Sequence, residues 1–167
     1  MFDYQRCYDS WTMPFRRHPM LISLLRLSNF LLTHLMYVIY PLLLLLIYIT
    51  QGFSQLFGII VIVPAISFSL VSLFRHFYNQ PRPYETWNFS PLIAKTSQGK
   101  SMPSRHVFSA SMISMCVLRL SIPLGLILLS LSLVLAFCRV IGGVHYPKDV
   151  LVGYVLGFSV GFLLFLV

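Results

Sequence analysis

The sequence predicts an all-α membrane protein of about five transmembrane helices, preceded by an N-terminal interfacial amphipathic segment. Three observations carry that prediction. Hydrophobic residues make up 57% of the 167-residue chain and charged residues 10%, where ordinary soluble domains carry about a quarter charged. Between Arg26 and Arg75 lie 48 residues without a formal charge, room for two spans of ~20 residues. Four acids, Asp3, Asp9, Glu85 and Asp149, stand against twelve Lys and Arg. In so apolar a chain that basic excess favours a lipid surface over nucleic acid.

The elements follow in order. Residues 1–27 mix Arg6, Arg16, Arg17 and Arg26 with aromatic and apolar side chains, as a segment lying in the interface does. A secretory signal would place its charges ahead of a short apolar core and a cleavage site. Residues 28–167 then read as one membrane-embedded domain. Helices are expected at 28–50 and 53–77, divided at Thr50-Gln51-Gly52. Pro41 and Pro64 fall inside them, which membrane helices tolerate where neighbours re-satisfy the freed carbonyls. A polar segment runs from Tyr78 to Pro103, and further apolar helices are expected at 104–121, 123–140 and 150–167. In the last, Gly153, Gly157 and Gly161 recur every four residues, which lets helix backbones approach closely. Packing inside one subunit is the expected use, with a homodimer through that face as the alternative.

This topology puts the N-terminus, the 78–103 segment and the 139–149 loop on one side, with Arg119 alone on the other. Three polar clusters can therefore converge there. Arg75 to Pro83 leaves the second helix, Met102 to His106 opens the third, and Cys138 to Asp149 joins the fourth to the fifth. Arg75, Arg82, Arg105 and Arg139 offer planar forks of donors suited to phosphate oxygens. Ser104 adds a hydroxyl, and a helix start adds free N–H groups. His145 and Asp149 stand four residues apart, a spacing at which the carboxylate accepts one imidazole N–H and raises the basicity of the other nitrogen. Such a nitrogen can attack phosphorus, and His106 can protonate the departing oxygen. His18 and His34 are expected to be structural, and Arg119 to reach lipid phosphates.

Other chemistries fit less well. Four carboxylates in all leave a calcium cage or a carboxylate-bridged metal pair without ligands. Cys7, Cys116 and Cys138 lack zinc-site or disulfide spacing. A thiol phosphatase needs arginine six residues after its cysteine, where this chain has Ile122 and Val144. Gly99-Lys100-Ser101 resembles the end of a P-loop, but Ala94 holds the first glycine position and no strand precedes it.

In order and spacing, the three clusters resemble the signature of the type 2 phosphatidic acid phosphatase superfamily: Lys-x6-Arg-Pro, then Pro-Ser-Gly-His, then Ser-Arg-x5-His-x3-Asp. Here Arg75 replaces the lysine, Arg105 the glycine and Cys138 the serine, while Arg82-Pro83, Pro103-Ser104, His106, Arg139, His145 and Asp149 match. The resemblance implies that His145 is the nucleophile, Asp149 its activating partner and His106 the general acid. It further implies that Arg75, Arg82, Ser104 and Arg139 hold the phosphoryl oxygens; Arg105, where the signature has glycine, keeps the backbone N–H and offers a side-chain contact to a second phosphate. No cofactor and no metal are implied, and the partner is a membrane lipid substrate in the bilayer, with no nucleic acid. The small size is similar to that of bacterial undecaprenyl diphosphate phosphatases, with phosphatidylglycerophosphate and phosphatidate phosphatases as alternatives, and a phosphotransferase or a non-enzymatic lipid-phosphate binder as the remaining rivals. The positive-inside rule assigns the basic side to the cytoplasm. The family's usual orientation in the bacterial plasma membrane is extracytoplasmic, and it is preferred because four of those arginines belong to the expected phosphate clamp.

Overall fold

The computed structural model describes residues 4–166, so Asp3 and Val167, the end of the last expected helix, lie outside it. The described residues are helical with no strand. α1 covers Tyr4–Arg17, α2 Pro19–Gln51, α3 Gln55–Tyr78, α4 Pro83–Thr86, α5 Arg105–Leu120, α6 Ile122–Ile141 and α7 Pro147–Gly161, followed by a 3-10 turn, Phe162–Phe165. Among the described residues, four stretches are long and apolar enough to cross a membrane: Pro19–Gln51, Gln55–Thr86, Ile122–Ile141 and Pro147–Phe165.

Five crossing helices were expected, and the one that falls short of that length is α5. Its 16 residues reach about 24 Å at 1.5 Å per residue. The reason lies in its position. α5 packs against α2, α3, α6 and α7, and Val107, Phe108 and every residue from Ala110 to Val117 are buried. A helix surrounded by protein can carry serines where a lipid-facing one would not. Ser111 Oγ donates to the Tyr154 carbonyl at 2.9 Å and Ser114 Oγ to Ala110 at 2.7 Å, so both buried hydroxyls are satisfied. The outer helices turn Leu45, Ile49, Ile66, Leu70, Leu126 and Leu133 outward, the surface a bilayer covers.

The glycine stripe lies against α5 inside the subunit. A Cβ at Gly157 would fall 2.5 Å from the Phe108 carbonyl oxygen, and one at Gly153 2.7 Å from that of Ser104. Only a residue without a side chain permits this approach. It fixes the start of α7, and so His145 and Asp149, against the start of α5.

One expected boundary moves. The first long helix starts at Pro19, not at 28, because His18 interrupts the chain and Pro19 restarts it from the first helical position. The amphipathic element is therefore α1, whose Tyr4, Tyr8 and Thr12 share one buried face. Tyr8 stacks on Phe89 at 4.0 Å and donates to the Ile141 carbonyl at 3.2 Å, and Tyr4 meets Tyr146 edge-on at 4.9 Å. α1 thus covers the 84–93 segment and the turn before α7. Arg119, expected to reach lipid phosphates, donates from Nε to the Leu164 carbonyl at 3.2 Å and lies over the Phe165 ring. His34 bonds the Phe30 carbonyl at 2.8 Å, a structural contact as expected.

Candidate active site

Helix directions bring the three clusters to one end of the bundle. α3 ends at Arg75 and Tyr78, α5 begins at Arg105 and His106, and α6 ends just past Arg139. Pro147 then opens α7, with Asp149 in its first turn and His145 just before it. Arg75, Arg82, Lys95, Arg105, His106 and His145 line a cavity of about 160 Å³ there, with residues 97–100 at its rim.

His145 and Asp149 are both buried. Imidazole Nδ1 stands 3.7 Å from Asp149 Oδ2, beyond hydrogen-bond length. Ser101 fills the space between them. Its hydroxyl donates to Asp149 Oδ2 at 2.5 Å and lies 3.4 Å from His145 Nδ1. The Tyr146 N–H donates to the same carboxylate oxygen at 3.0 Å. A proton on Nδ1, directed at Ser101 and Asp149, leaves the Nε2 lone pair on the side of Arg82, whose Nη1 is 3.5 Å away. Burial holds this imidazole well below the usual histidine range. Asp149 opposes that shift, and Arg139 and Arg82 reinforce it. The ring is neutral at neutral pH, the form a nucleophile requires.

The arginines are held by backbone. Arg75 Nη1 donates to the carbonyls of Ser101, at 3.1 Å, and Pro103. Arg82 donates from Nε to Gly99 and from Nη1 to Val144, both at 3.0 Å. Arg139 bonds Asn29 of α2 at 3.2 Å through Nη1, while its Nε and Nη2 are buried with no hydrogen-bond partner among the described residues. The same holds for Ser104 Oγ at the start of α5. Such donors are costly to bury unpaired, and an anion's oxygens would satisfy them. Gly99 holds the rim in a left-handed conformation, φ 60°. Its N–H donates to both Glu85 carboxylate oxygens, at 2.9 and 3.0 Å, and Glu85 also accepts from the Arg82 N–H at 2.6 Å. Glu85 therefore ties the loop to Arg82.

Beside the polar cavity runs an apolar groove between α2, α3 and α5. It is lined by Met36, Tyr37, Phe68, Ser109 and Ile113 and shares Arg105 and His106 with the polar cavity. Arg105 lies over the Phe68 ring at 5.8 Å.

The PAP2 superfamily profile matches residues 55–167, more than half of the chain and all three clusters. The chain belongs to the PAP2 superfamily. Undecaprenyl-diphosphatase BcrC of Bacillus subtilis (strain 168) is 35% identical over 88 residues, 53% of this chain and 45% of that protein. The aligned region thus spans under half the length of that curated relative. Among solved structures, Aquifex aeolicus LpxE superposes with a TM-score of 0.75 at 24% identity, over 99% of this chain and 97% of that one. A PAP2-type phosphatidylglycerolphosphate phosphatase from Bacillus subtilis superposes with a TM-score of 0.74 at 19% identity, over 96% and 84%. At these identities the two structures bear on the fold.

The departures from the PAP2 signature have clear surroundings. Arg75 reaches carbonyls on two residues, which the guanidinium fork allows. Cys138 is buried with Leu25, Leu92 and Ile141 in an apolar cluster, where a serine hydroxyl would need a partner. Arg105 keeps its backbone in α5 and sends its side chain to the cavity edge. Three residues of the site were missed from the sequence: Ser101, set aside with the discounted P-loop; Lys95, in a segment without periodicity; and Asn29, inside an apolar run. Arg16 and Arg26, expected at the interface, also donate to the Ser90 and Leu92 carbonyls, at 2.9 and 2.7 Å.

Proposed function

We propose that this membrane PAP2 protein is a metal-independent phosphatase that removes the terminal phosphate of a lipid phosphate or diphosphate, with undecaprenyl diphosphate as the preferred substrate, through a phosphohistidine at His145. The observation that carries this reading is the buried His145–Ser101–Asp149 chain opening onto a cavity ringed by arginines. His145 Nε2 attacks phosphorus while His106, which burial and Arg139 hold neutral in the free site and which takes up a proton with the anionic substrate, gives that proton to the leaving oxygen. Water, deprotonated by His106, then cleaves the phosphorus–nitrogen bond and regenerates His145. Arg75, Arg82, Arg139 and Ser104 stabilise the charge on the phosphoryl oxygens. The groove beside His106 suits an apolar tail, and the BcrC relative supports the diphosphate. Among the described residues no group of three or more His, Cys, Asp or Glu comes together as a metal's ligands would.

Purified protein in detergent, with a chelator present, should release phosphate from undecaprenyl diphosphate faster than from phosphatidate or phosphatidylglycerophosphate. Loss of all activity on adding chelator would reject the metal-independent mechanism, and a preference for phosphatidylglycerophosphate would move the substrate to the alternative class. Formation of a phosphorylated acceptor in place of free phosphate would identify a phosphotransferase, and binding without turnover a lipid-phosphate binder.

We further place the site on the extracytoplasmic face of a bacterial plasma membrane, the usual orientation of the family; assigning Arg75, Arg82, Arg105 and Arg139 to the cavity lowers the positive-inside count on that side from eleven to seven without reversing it. A cysteine introduced in the 85–100 loop should react with an impermeant thiol reagent on intact cells. Reaction from the cytoplasmic side alone would reverse the orientation.

A further inference from the structure

We propose that Arg105 and Lys95 form a subsite for the leaving-group phosphate of a lipid diphosphate, and that this subsite sets a preference for diphosphate over monophosphate head groups. The inference rests on the phosphatase reading above and adds the residues that would choose between its substrates.

The first ground is the division of labour among the cations. Arg75 and Arg82 are pinned by backbone carbonyls, and Arg139 by Asn29. With Ser104 they form an inner set beside His145, and a phosphoryl group of about two negative charges is matched by three arginines. Of the remaining cations on the cavity, Lys100 is exposed at the rim, and Arg105 and Lys95 are left over. Neither makes a hydrogen bond or an ion pair to the described residues, although both line the same cavity. Lys95 is half-buried and no carboxylate faces it. Its charged neighbours are Arg75 from α3, Arg105 from α5, Arg139 from α6 and Arg82 from the loop, with His106, His145 and Lys100 on the same cavity. Burial and those arginines push its ammonium down to about 8. A partly buried cation among like charges is costly unless an anion joins it.

The second ground is position along the substrate. Arg105 and His106 are the two residues shared by the polar cavity and the apolar groove. With the terminal phosphate at His145 and the tail in the groove, the atoms leaving past His106 lie beside the Arg105 side chain. In a lipid monophosphate that leaving group is an alcohol, which offers Arg105 no charge. In a lipid diphosphate it is a second phosphate. When His145 Nε2 takes the terminal phosphoryl group, the bridging oxygen departs with the bonding electrons, receives the His106 proton and leaves as the lipid monophosphate. Its anionic oxygens are the acceptors that Arg105 and Lys95 lack. The PAP2 signature has glycine at the position of Arg105, so the signature itself does not supply this contact.

The test compares kcat/KM of detergent-purified protein on a prenyl diphosphate and on the prenyl monophosphate of equal chain length. The wild type should favour the diphosphate by at least about tenfold. Charge-assisted hydrogen bonds contribute about 1.5–3 kcal/mol each, so Arg105→Gln should lower the diphosphate-to-monophosphate ratio by about 10- to 100-fold. Lys95→Gln should lower it by about fivefold, and Arg105→Lys should recover part of the loss. Unchanged thermal unfolding of each variant excludes misfolding, and the ratio cancels any loss of active protein. A ratio unaltered in both variants overturns the proposal. So does a wild type that hydrolyses both lipids equally or prefers the monophosphate, and in that case the phosphatase reading stands. A wild type that releases phosphate from neither overturns both.

Discussion

His145→Ala should lower phosphate release by at least about 10⁴-fold, with substrate binding nearly retained. In the proposed mechanism this imidazole forms the covalent bond, whereas Arg75 and Arg82 stay anchored to the Ser101, Pro103, Gly99 and Val144 carbonyls. The loss should therefore fall on kcat, and KM should change little. Thermal unfolding in detergent checks that the variant folds. An alanine variant within tenfold of wild type would mean that His145 is structural and that water attacks phosphorus directly.

Asp149→Asn should cost about 10³- to 10⁴-fold in kcat. The carboxylate accepts from the Ser101 hydroxyl and the Tyr146 N–H, and its charge opposes the effect of burial on His145. An asparagine amide has the same shape but no charge, and it can present N–H to Ser101. The hydroxyl then accepts from the amide and turns its own O–H to Nδ1, so the imidazole favours the tautomer whose Nε2 is protonated and cannot attack. Because burial lowers the His145 proton affinity and Asp149 raises it, the asparagine should move the acid limb of kcat/KM to still lower pH. Ser101→Ala should act on the same step with a smaller loss, about tenfold, since the carboxylate keeps its Tyr146 donor. Rates of single-turnover phosphate transfer measured across pH read all of these effects. An Asp149→Asn enzyme with a wild-type pH profile would show that the carboxylate only shapes the start of α7.

The predictions rest on parts of the site that were unequally legible. Arg75, Arg82, Ser104, His106, Arg139, His145 and Asp149 were readable because each cluster lies within a few residues of a helix end, and helix geometry fixes where such residues go. The His145–Asp149 spacing needs only the first turn of α7, which Pro147 announces. Ser101 and Lys95 come from the 87–102 segment, which has no periodicity and whose path is set from far away. Glu85 holds Gly99, and Arg16 and Arg26 hold Ser90 and Leu92. None of these partners is near in sequence, so no local pattern reveals them. Burial of α5 was similarly hidden. Its apolar run with serines reads as a membrane span, and its packing against α2, α3, α6 and α7, closest at Gly153 and Gly157, shows that protein surrounds it. The start of α2 was missed for a simpler reason. Residues 19–27 are as apolar as the helix that follows, and Arg26, the charge that suggested a boundary, turns its guanidinium to the Leu92 carbonyl.

A covalent phosphohistidine is the claim on which the rest depends. Wild-type protein mixed in chelator with a lipid diphosphate labelled in its terminal phosphate, then quenched within one turnover, should carry label that is stable to alkali and labile to acid. Peptide mapping should place it on His145, and phosphate release should then proceed from that species. Label on another residue, or no labelled protein while phosphate is released at the normal rate, would contradict the mechanism.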